Sequence, residues 1–129
     1  MTDRILLDTC ALIWLATRSE SLSTVARLAI EEADEVLVTS VTAWEIAVKF
    51  RSGKLKLPSD PISWFDHAVN HFGLKMVSVG YRTLMQSASL PQHHKDPADR
   101  TLIQFALEND LTVATGDRRF QRYGVKTIR

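Results

Sequence analysis

Short apolar runs alternate along this chain with longer segments that have helical patterns, and this alternation limits the fold more than any other feature. The clearest runs are residues 4–8, 35–40 and 111–115, which are rich in Ile, Leu, Val and Thr. Strands separated by helices indicate right-handed parallel crossovers. We therefore predict an α/β fold, a doubly wound three-layer α/β/α domain with a four- or five-stranded, mainly parallel sheet.

The remaining elements follow from caps, breakers and periodicity. Residues 74–79 and 125–128 are also predicted as strands. Asp-Pro pairs at 60–61 and 96–97 are typical of a helix N-cap followed by proline in the first turn. Helices are predicted over residues 9–17, 23–33, 42–51, 60–73, 81–89 and 96–109, with a short helical turn over 117–123.

Length and composition place the chain among ordinary globular proteins. With 129 residues, of which 45% are hydrophobic, it is expected to form one domain over residues 1–129. The net charge of +1 creates no global attraction to nucleic acid, so such binding would need local basic patches. The single Cys10 cannot form an internal disulfide. Neither a membrane span nor a signal peptide is evident, and we expect a cytoplasmic protein.

Four acidic residues occupy the predicted ends of strands or starts of helices. Asp8 and Asp117 follow apolar runs, whereas Glu45 and Asp99 are predicted in the first turn of a helix. In an open α/β sheet these positions converge on the edge where ligands bind. Each acid also has a local explanation: a helix cap for Asp8, an ion pair with Lys49 for Glu45, a capping box with Asp96 for Asp99, and a turn for Asp117.

Carboxylates that converge repel one another unless protons or cations neutralise them. Without a convergent His or Cys, four carboxylates favour Mg²⁺ or Mn²⁺ over zinc, and such a site suits phosphodiester hydrolysis. The five glycines are isolated, which excludes the phosphate-binding loops of nucleotide enzymes. His93 and His94 precede Asp96 in a polar segment; they could contact substrate or phosphate, but we expect solvated loop side chains there.

The chain resembles the PIN-domain family, and within it the VapC-type ribonuclease toxins of type II toxin–antitoxin systems. The matching segments are LLDTCALIWL around Asp8, VTSVTAWEIAVKFRSGKLKL around Glu45, LPQHHKDPADRTLIQFAL around Asp99 and LTVATGDRRFQRYGV around Asp117. The resemblance covers nearly the whole chain, in order. It implies a PIN fold and an endoribonuclease that depends on Mg²⁺ or Mn²⁺.

The resemblance also implies roles for individual residues and partners. Asp8, Glu45, Asp99 and Asp117 match the family's acidic quartet, which would hold the metal. The accessory positions that match are Asp96, Thr115 and Thr9. A cognate antitoxin and a homodimer are the protein partners that the family implies.

Our leading hypothesis is metal-dependent RNA hydrolysis, with Lys95 and Arg100 contacting phosphate. Two alternatives remain open at this point. One is a catalytically silent module whose acids bind a basic partner peptide, or which binds nucleic acid; an intact acidic quartet argues against it. The other is hydrolysis of a small phosphate ester, which the lack of a phosphate-cradling loop disfavours.

Overall fold

The computed structural model describes residues 3–129. Its five strands are β1 (Arg4–Leu7), β2 (Glu35–Thr39), β3 (Lys75–Val77), β4 (Thr112–Ala114) and β5 (Thr127–Ile128). Its helices are α1 (Thr9–Thr17), α2 (Thr24–Glu32), α3 (Ser40–Arg51), α4 (Pro61–His71), α5 (Tyr81–Ser87) and α6 (Pro97–Asn109), with a 3₁₀ helix over Arg118–Tyr123. No helix within residues 3–129 has the length and apolar character needed to cross a membrane.

The five strands form one parallel sheet in the order β3-β2-β1-β4-β5. The chain moves outward from β1 through β2 to β3, and then returns to the other side of β1 to form β4 and β5. The strand order therefore reverses between β1 and β4. In open parallel sheets such a reversal leaves a crevice outside the carboxyl ends of the two strands, and that crevice is the usual ligand site.

Alternate residues of the central strands pack into two separate hydrophobic cores, one on each face of the sheet. Ile5 and Leu7 of β1 are buried on one face of the sheet together with residues of α1, α2 and α4. Leu6, between them, is buried on the opposite face with Leu102 and Ile103 of α6. Successive side chains of a strand point to opposite faces, so both faces are covered by helices. The predicted three-layer α/β/α architecture is confirmed.

Helix α3 begins two residues before its predicted start. Thr39, the last residue of β2, is its N-cap, and the Thr39 hydroxyl accepts a hydrogen bond from the Thr42 backbone N–H at 3.4 Å. The strand therefore passes directly into the helix without a linker. As a consequence Glu45 lies in the second turn of α3, and its predicted position in the first turn was wrong. The shift leaves Glu45 facing the crevice at the end of β1.

Candidate active site

The structure brings the four acids predicted from the sequence into one cleft. Asp8 directly follows β1, and Asp117 follows β4 by three residues. Glu45 reaches the same place from α3, and Asp99 from the first turn of α6. Together with Asp96 they line a cleft of about 560 Å³. The cleft lies outside the carboxyl ends of β1 and β4, where the order of strands reverses.

Asp8 is the most buried of these acids, with an exposed fraction of 5%. It is the N-cap of α1, and its Oδ1 accepts a hydrogen bond from the Ala11 backbone N–H at 2.7 Å. Burial raises the pKa of the Asp8 carboxyl, while hydrogen bonds from the Thr115 hydroxyl and from Ala11 oppose the increase. The cap that fixes this side chain therefore also fixes one acid of the cleft.

Asp99 has the most strongly perturbed titration in the cleft. Burial, followed by the charges of Asp96, Asp8, Glu45 and Asp117, raises its pKa from 3.8 to about 8. The folded protein therefore favours a proton on this carboxyl near neutral pH. A divalent cation would supply the same neutralisation of the buried carboxyl and its acidic neighbours.

Glu45 is held between a buried hydroxyl and an ammonium group. Its Oε1 accepts a hydrogen bond of 2.5 Å from the Thr9 hydroxyl, and Thr9 is 3% exposed. Its Oε2 lies 3.3 Å from Lys49 Nζ, one turn further along α3. The local ion pair expected from the sequence therefore exists, and it coexists with the position of Glu45 in the cleft. Thr9 connects the end of β1 to α3 through this contact.

Asp117 has both oxygens engaged by neighbouring donors. Its Oδ1 accepts hydrogen bonds from the backbone N–H and from Nε of Arg119, and its Oδ2 lies 2.7 Å from Arg119 Nη2. The Arg119 guanidinium holds the pKa of the Asp117 carboxyl at about 2. The Asp117 backbone N–H donates to the Thr115 hydroxyl at 3.0 Å. Thr115 thereby contacts two acids of the cleft, Asp8 and Asp117.

His94 lies between two of the acids, and sequence reasoning missed it. Its side chain is 2% exposed, and its Nε2 lies 2.9 Å from Asp99 Oδ2 and 3.0 Å from Asp117 Oδ2. The expected solvated loop side chain was wrong for His94, whereas the adjacent His93 is exposed. The one local signal is its place two residues before the Asp96 N-cap, where a ring can turn back over the first turn of a helix.

The start of α6 differs from the predicted capping box. Asp96 is the N-cap, and its Oδ1 accepts a hydrogen bond from the Ala98 N–H at 3.1 Å. In a capping box, Asp99 would accept the Asp96 N–H. His94 Nδ1 accepts that N–H instead, at 3.1 Å. The Asp99 carboxyl is thereby free to face the cleft.

The predicted phosphate contact by Arg100 is not supported. Arg100 is 6% exposed, and its guanidinium is surrounded by backbone. Its two terminal nitrogens donate hydrogen bonds to the carbonyl oxygens of Ser87, Ala88, Leu90, Pro91 and His94. Because these five carbonyls already accept its hydrogen bonds, the guanidinium is not available to a phosphate. Arg100 instead holds the loop before α6 in place. Lys95 is exposed in that loop, and its phosphate contact stays a prediction.

The donor set suits a hard divalent cation. The cleft is lined by carboxylates from four separate elements, and hard cations such as Mg²⁺ and Mn²⁺ prefer oxygen ligands. The expectation that no histidine converges on the acids was wrong for His94, because ligand atoms of His94, Asp99 and Asp117 all lie within 4.8 Å of one another. Arg118 and Arg129 also line the cleft and add positive charge at its rim. The combination can bind a cation and an anionic ligand side by side.

Known proteins share this fold and sequence pattern. The PIN-domain family model matches residues 5–126. Ribonuclease VapC22 of Mycobacterium tuberculosis (strain ATCC 25618 / H37Rv) is 28% identical over 120 residues, which are 92% of this chain and 91% of that protein. A chain of VapBC2 from Rickettsia felis, bound to a DNA fragment from their promoter, superposes with a TM-score of 0.69 at 14% identity, over 97% of both chains. A chain of FitAB bound to an IR36 DNA fragment gives a TM-score of 0.67 at 18% identity, over 96% of this chain and 93% of that chain.

Proposed function

This chain belongs to the PIN-domain family, and from that premise we propose that it is a divalent-metal-dependent endoribonuclease that acts as the toxin of a toxin–antitoxin pair. One observation carries the proposal: Asp8, Glu45, Asp99 and Asp117 line a single cleft at the point where the strand order reverses. The relative named a ribonuclease matches over most of both chains, which adds support for RNA as the substrate.

The metal would be held mainly by Asp8 and Asp99, with Mg²⁺ or Mn²⁺ as the ion. Glu45 and Asp117 complete the acidic pocket, and the network of Thr9, Arg119 and His94 around them restricts both side chains. When bound, a divalent cation supplies Lewis acidity and stabilises the charge that develops on the phosphate and the leaving oxygen. Water is the nucleophile and the 3′-oxygen is the leaving group, so the 2′-hydroxyl of RNA takes no part in the chemistry.

The residues of the chain itself position the substrate. Arg118 and Arg129 at the rim of the cleft carry positive charge beside the carboxylates, and exposed Lys95 lies in the loop that precedes α6. A polyanion can therefore be attracted to the basic residues beside the acidic pocket. Thr115 and Asp96 serve the site by orienting Asp117 and the first turn of α6, respectively.

A cognate antitoxin is the protein partner in this proposal. The VapBC2 and FitAB structures that share the fold are complexes, and both contain DNA. A basic segment of an antitoxin would be attracted to the same acidic cleft and would compete with the metal for its carboxylates. We also propose a homodimer, which is the assembly that family membership implies.

RNA cleavage tests the proposal directly. The purified chain, freed of any partner, is incubated with structured and unstructured RNA in Mg²⁺, in Mn²⁺ and in a chelator. Asp99→Asn is assayed beside Asp66→Asn, which neutralises an exposed acid on α4 and serves as the matched control. We expect cleavage by the unaltered chain and by Asp66→Asn in either metal, and none in chelator or with Asp99→Asn.

Two results would contradict the proposal in different ways. Cleavage that persists in chelator or in Asp99→Asn would exclude the metal mechanism. Absence of cleavage of every RNA under all conditions would favour the alternative function, in which the acidic cleft is a catalytically silent module that binds a basic peptide or nucleic acid. Binding of a basic peptide that survives in chelator and weakens in Asp99→Asn would then support that alternative.

A further inference from the structure

We infer that His94 is a positioning residue, which donates its Nε2–H to the Asp117 carboxylate beside Asp99 and does not itself bind the metal. The inference rests on the proposed function and adds a further residue to the same site. Its basis is the set of contacts that the buried imidazole makes on both sides of its ring. Nδ1 faces a hydrogen-bond donor, whereas Nε2 faces carboxylate acceptors. This difference determines which of the two nitrogens carries the hydrogen.

The hydrogen bond at Nδ1 determines the tautomer of His94. Nδ1 lies 3.1 Å from the backbone N–H of Asp96, and a backbone N–H can only donate. Nδ1 must therefore be the acceptor, and it carries no hydrogen. A neutral imidazole has one N–H, so the hydrogen resides on Nε2. Nε2–H then donates to Asp117 Oδ2 at 3.0 Å, and Asp99 Oδ2 lies 2.9 Å from the same nitrogen.

This tautomer is the opposite of the one that a metal-ligating histidine needs. A histidine that binds a metal through Nε2 presents a lone pair there, and donates its Nδ1–H to a carboxylate, a carbonyl or water. Here Nδ1 faces the backbone N–H of Asp96. A hydrogen on Nδ1 would point at that donor and would abolish the hydrogen bond. His94 therefore presents a hydrogen to Asp117 beside Asp99, and its role is to orient the acids.

The backbone of His94 is fixed as firmly as its ring. Its N–H donates to Tyr123 Oη at 2.9 Å, and its carbonyl accepts from Arg100 Nη1 at 3.0 Å. Tyr123 Oη in turn donates to the Pro91 carbonyl at 2.6 Å. The ring of His94 also lies edge-on to Phe120, at a centroid distance of 6.0 Å. These contacts restrain both the backbone and the ring of His94. Such restraint is needed if the residue is to set the geometry of its neighbours.

The two carboxylates beside His94 come from different parts of the chain. Asp99 lies on α6 and Asp117 lies at the start of the 3₁₀ helix after β4. The hydrogen bond from His94 to Asp117 links the loop before α6 to the segment after β4, close to Asp99. Loss of a hydrogen bond to a ligating carboxylate typically lowers metal affinity by about 10- to 100-fold.

The tautomer of His94 can be measured without any activity assay. The protein is labelled with ¹⁵N at histidine, and long-range proton–nitrogen NMR spectra are recorded without metal and at saturating Mg²⁺. His94→Gln removes one of the four histidine spin systems and thereby assigns the His94 signals. We expect the Nε2–H pattern in both spectra. An Nδ1–H pattern, or a change from Nε2–H to Nδ1–H when Mg²⁺ is added, would overturn the inference.

Two variants separate a hydrogen-bond donor from a packing group. His94→Ala removes the donor, whereas His94→Gln keeps an N–H near the position of Nε2. We expect His94→Ala to weaken Mg²⁺ binding by at least about tenfold in calorimetry, and His94→Gln to recover most of that loss. His93→Ala is the control, because His93 is adjacent and exposed. Equal losses in His94→Ala and His94→Gln, or no loss in either, would overturn the inference.

These readouts stand apart from the proposed function. An unaltered protein that cleaves no RNA would contradict the ribonuclease proposal and leave the NMR and Mg²⁺-binding results to decide the role of His94. Conversely, RNA cleavage together with an Nδ1–H tautomer would keep the proposed function and exclude His94 as the donor.

Discussion

Arg119 binds both carboxylate oxygens of Asp117. Nε of Arg119 lies 3.0 Å from Oδ1, and Nη2 lies 2.7 Å from Oδ2. The Arg119 side chain is 51% exposed, so this cation can leave without disturbing the core. The guanidinium therefore supplies the positive charge that neutralises Asp117 in this structure.

Removal of this guanidinium is expected to strengthen cation binding. In Arg119→Ala, Mg²⁺ affinity should rise roughly three- to tenfold, because the positive charge beside Asp117 opposes a divalent cation in the same cleft by about 1 kcal/mol. Isothermal titration calorimetry at low ionic strength measures the change. Arg122→Ala, in the same 3₁₀ helix, removes an exposed arginine and is the matched control. Unchanged or weaker binding in Arg119→Ala would mean that Arg119 does not oppose the metal.

The raised pKa of Asp99 predicts how metal-free stability depends on pH. The folded protein favours the neutral carboxyl, because its pKa is about 8 against an ordinary value of 3.8. The contribution of Asp99 to stability is therefore intact below about pH 4, declines as the pH rises, and is fully lost above about pH 8. In chelator, Asp99→Asn should melt at the same temperature as the unaltered protein at pH 4, and at least about 5 °C higher at pH 8.5, because each unit of pKa difference corresponds to about 1.4 kcal/mol.

The same titration makes cation binding dependent on pH. Mg²⁺ competes with the proton on Asp99, so the increase in melting temperature caused by Mg²⁺ should be larger at pH 8.5 than at pH 6. Thermal unfolding followed by circular dichroism gives both quantities. An equal response to Mg²⁺ at the two pH values, or an Asp99→Asn variant that is less stable at pH 8.5, would contradict this prediction. Either result would show that ionisation of Asp99 does not destabilise the folded protein.

Arg100 is expected to matter for stability rather than for substrate binding. Arg100→Met leaves five backbone carbonyls without their donor, and should lower the free energy of unfolding by roughly 2–4 kcal/mol. Arg100→Lys should recover little, because an ammonium cannot span the fork of acceptors. Urea unfolding measures the loss, with Arg122→Met as the exposed control. Weaker RNA binding with unchanged stability would restore the phosphate contact predicted from the sequence.

Thr9 is expected to act through Glu45. Thr9→Val keeps the shape of the side chain and removes the hydroxyl that donates to Glu45 Oε1. RNA cleavage at saturating Mg²⁺ should fall about tenfold, since a mobile carboxylate is poorly oriented for catalysis. Thr9→Ser retains the donor and should keep most of the activity. Full activity in Thr9→Val, or an equal loss in Thr9→Ser, would separate Thr9 from the site.

The fold could be predicted from the sequence because its signals are local. Apolar runs and Asp-Pro caps mark β1, α4 and α6, and α1 was predicted with the bounds that the structure has. The start of α3 was misplaced because Thr39 ends a strand and caps a helix at once. Nothing in a local pattern distinguishes a residue that serves both elements.

The acidic cleft was also foreseeable, since the carboxyl ends of parallel strands share one edge. The network around the acids was not. His94 is buried and His93 is exposed, although the two are adjacent and alike in type. The role predicted for Arg100 was wrong for the same reason, because its carbonyl partners lie 6 to 13 residues away, from the end of α5 through the loop before α6. Such contacts depend on tertiary packing, which spacing does not encode.

Anomalous diffraction from crystals saturated with Mn²⁺ would locate a cation in the acidic cleft without reference to activity. We predict one or more anomalous peaks coordinated by the carboxylates of Asp8 and Asp99 in the unaltered protein, and their loss in crystals of Asp99→Asn. An empty cleft at saturating Mn²⁺, or a cation bound away from these carboxylates, would contradict the account.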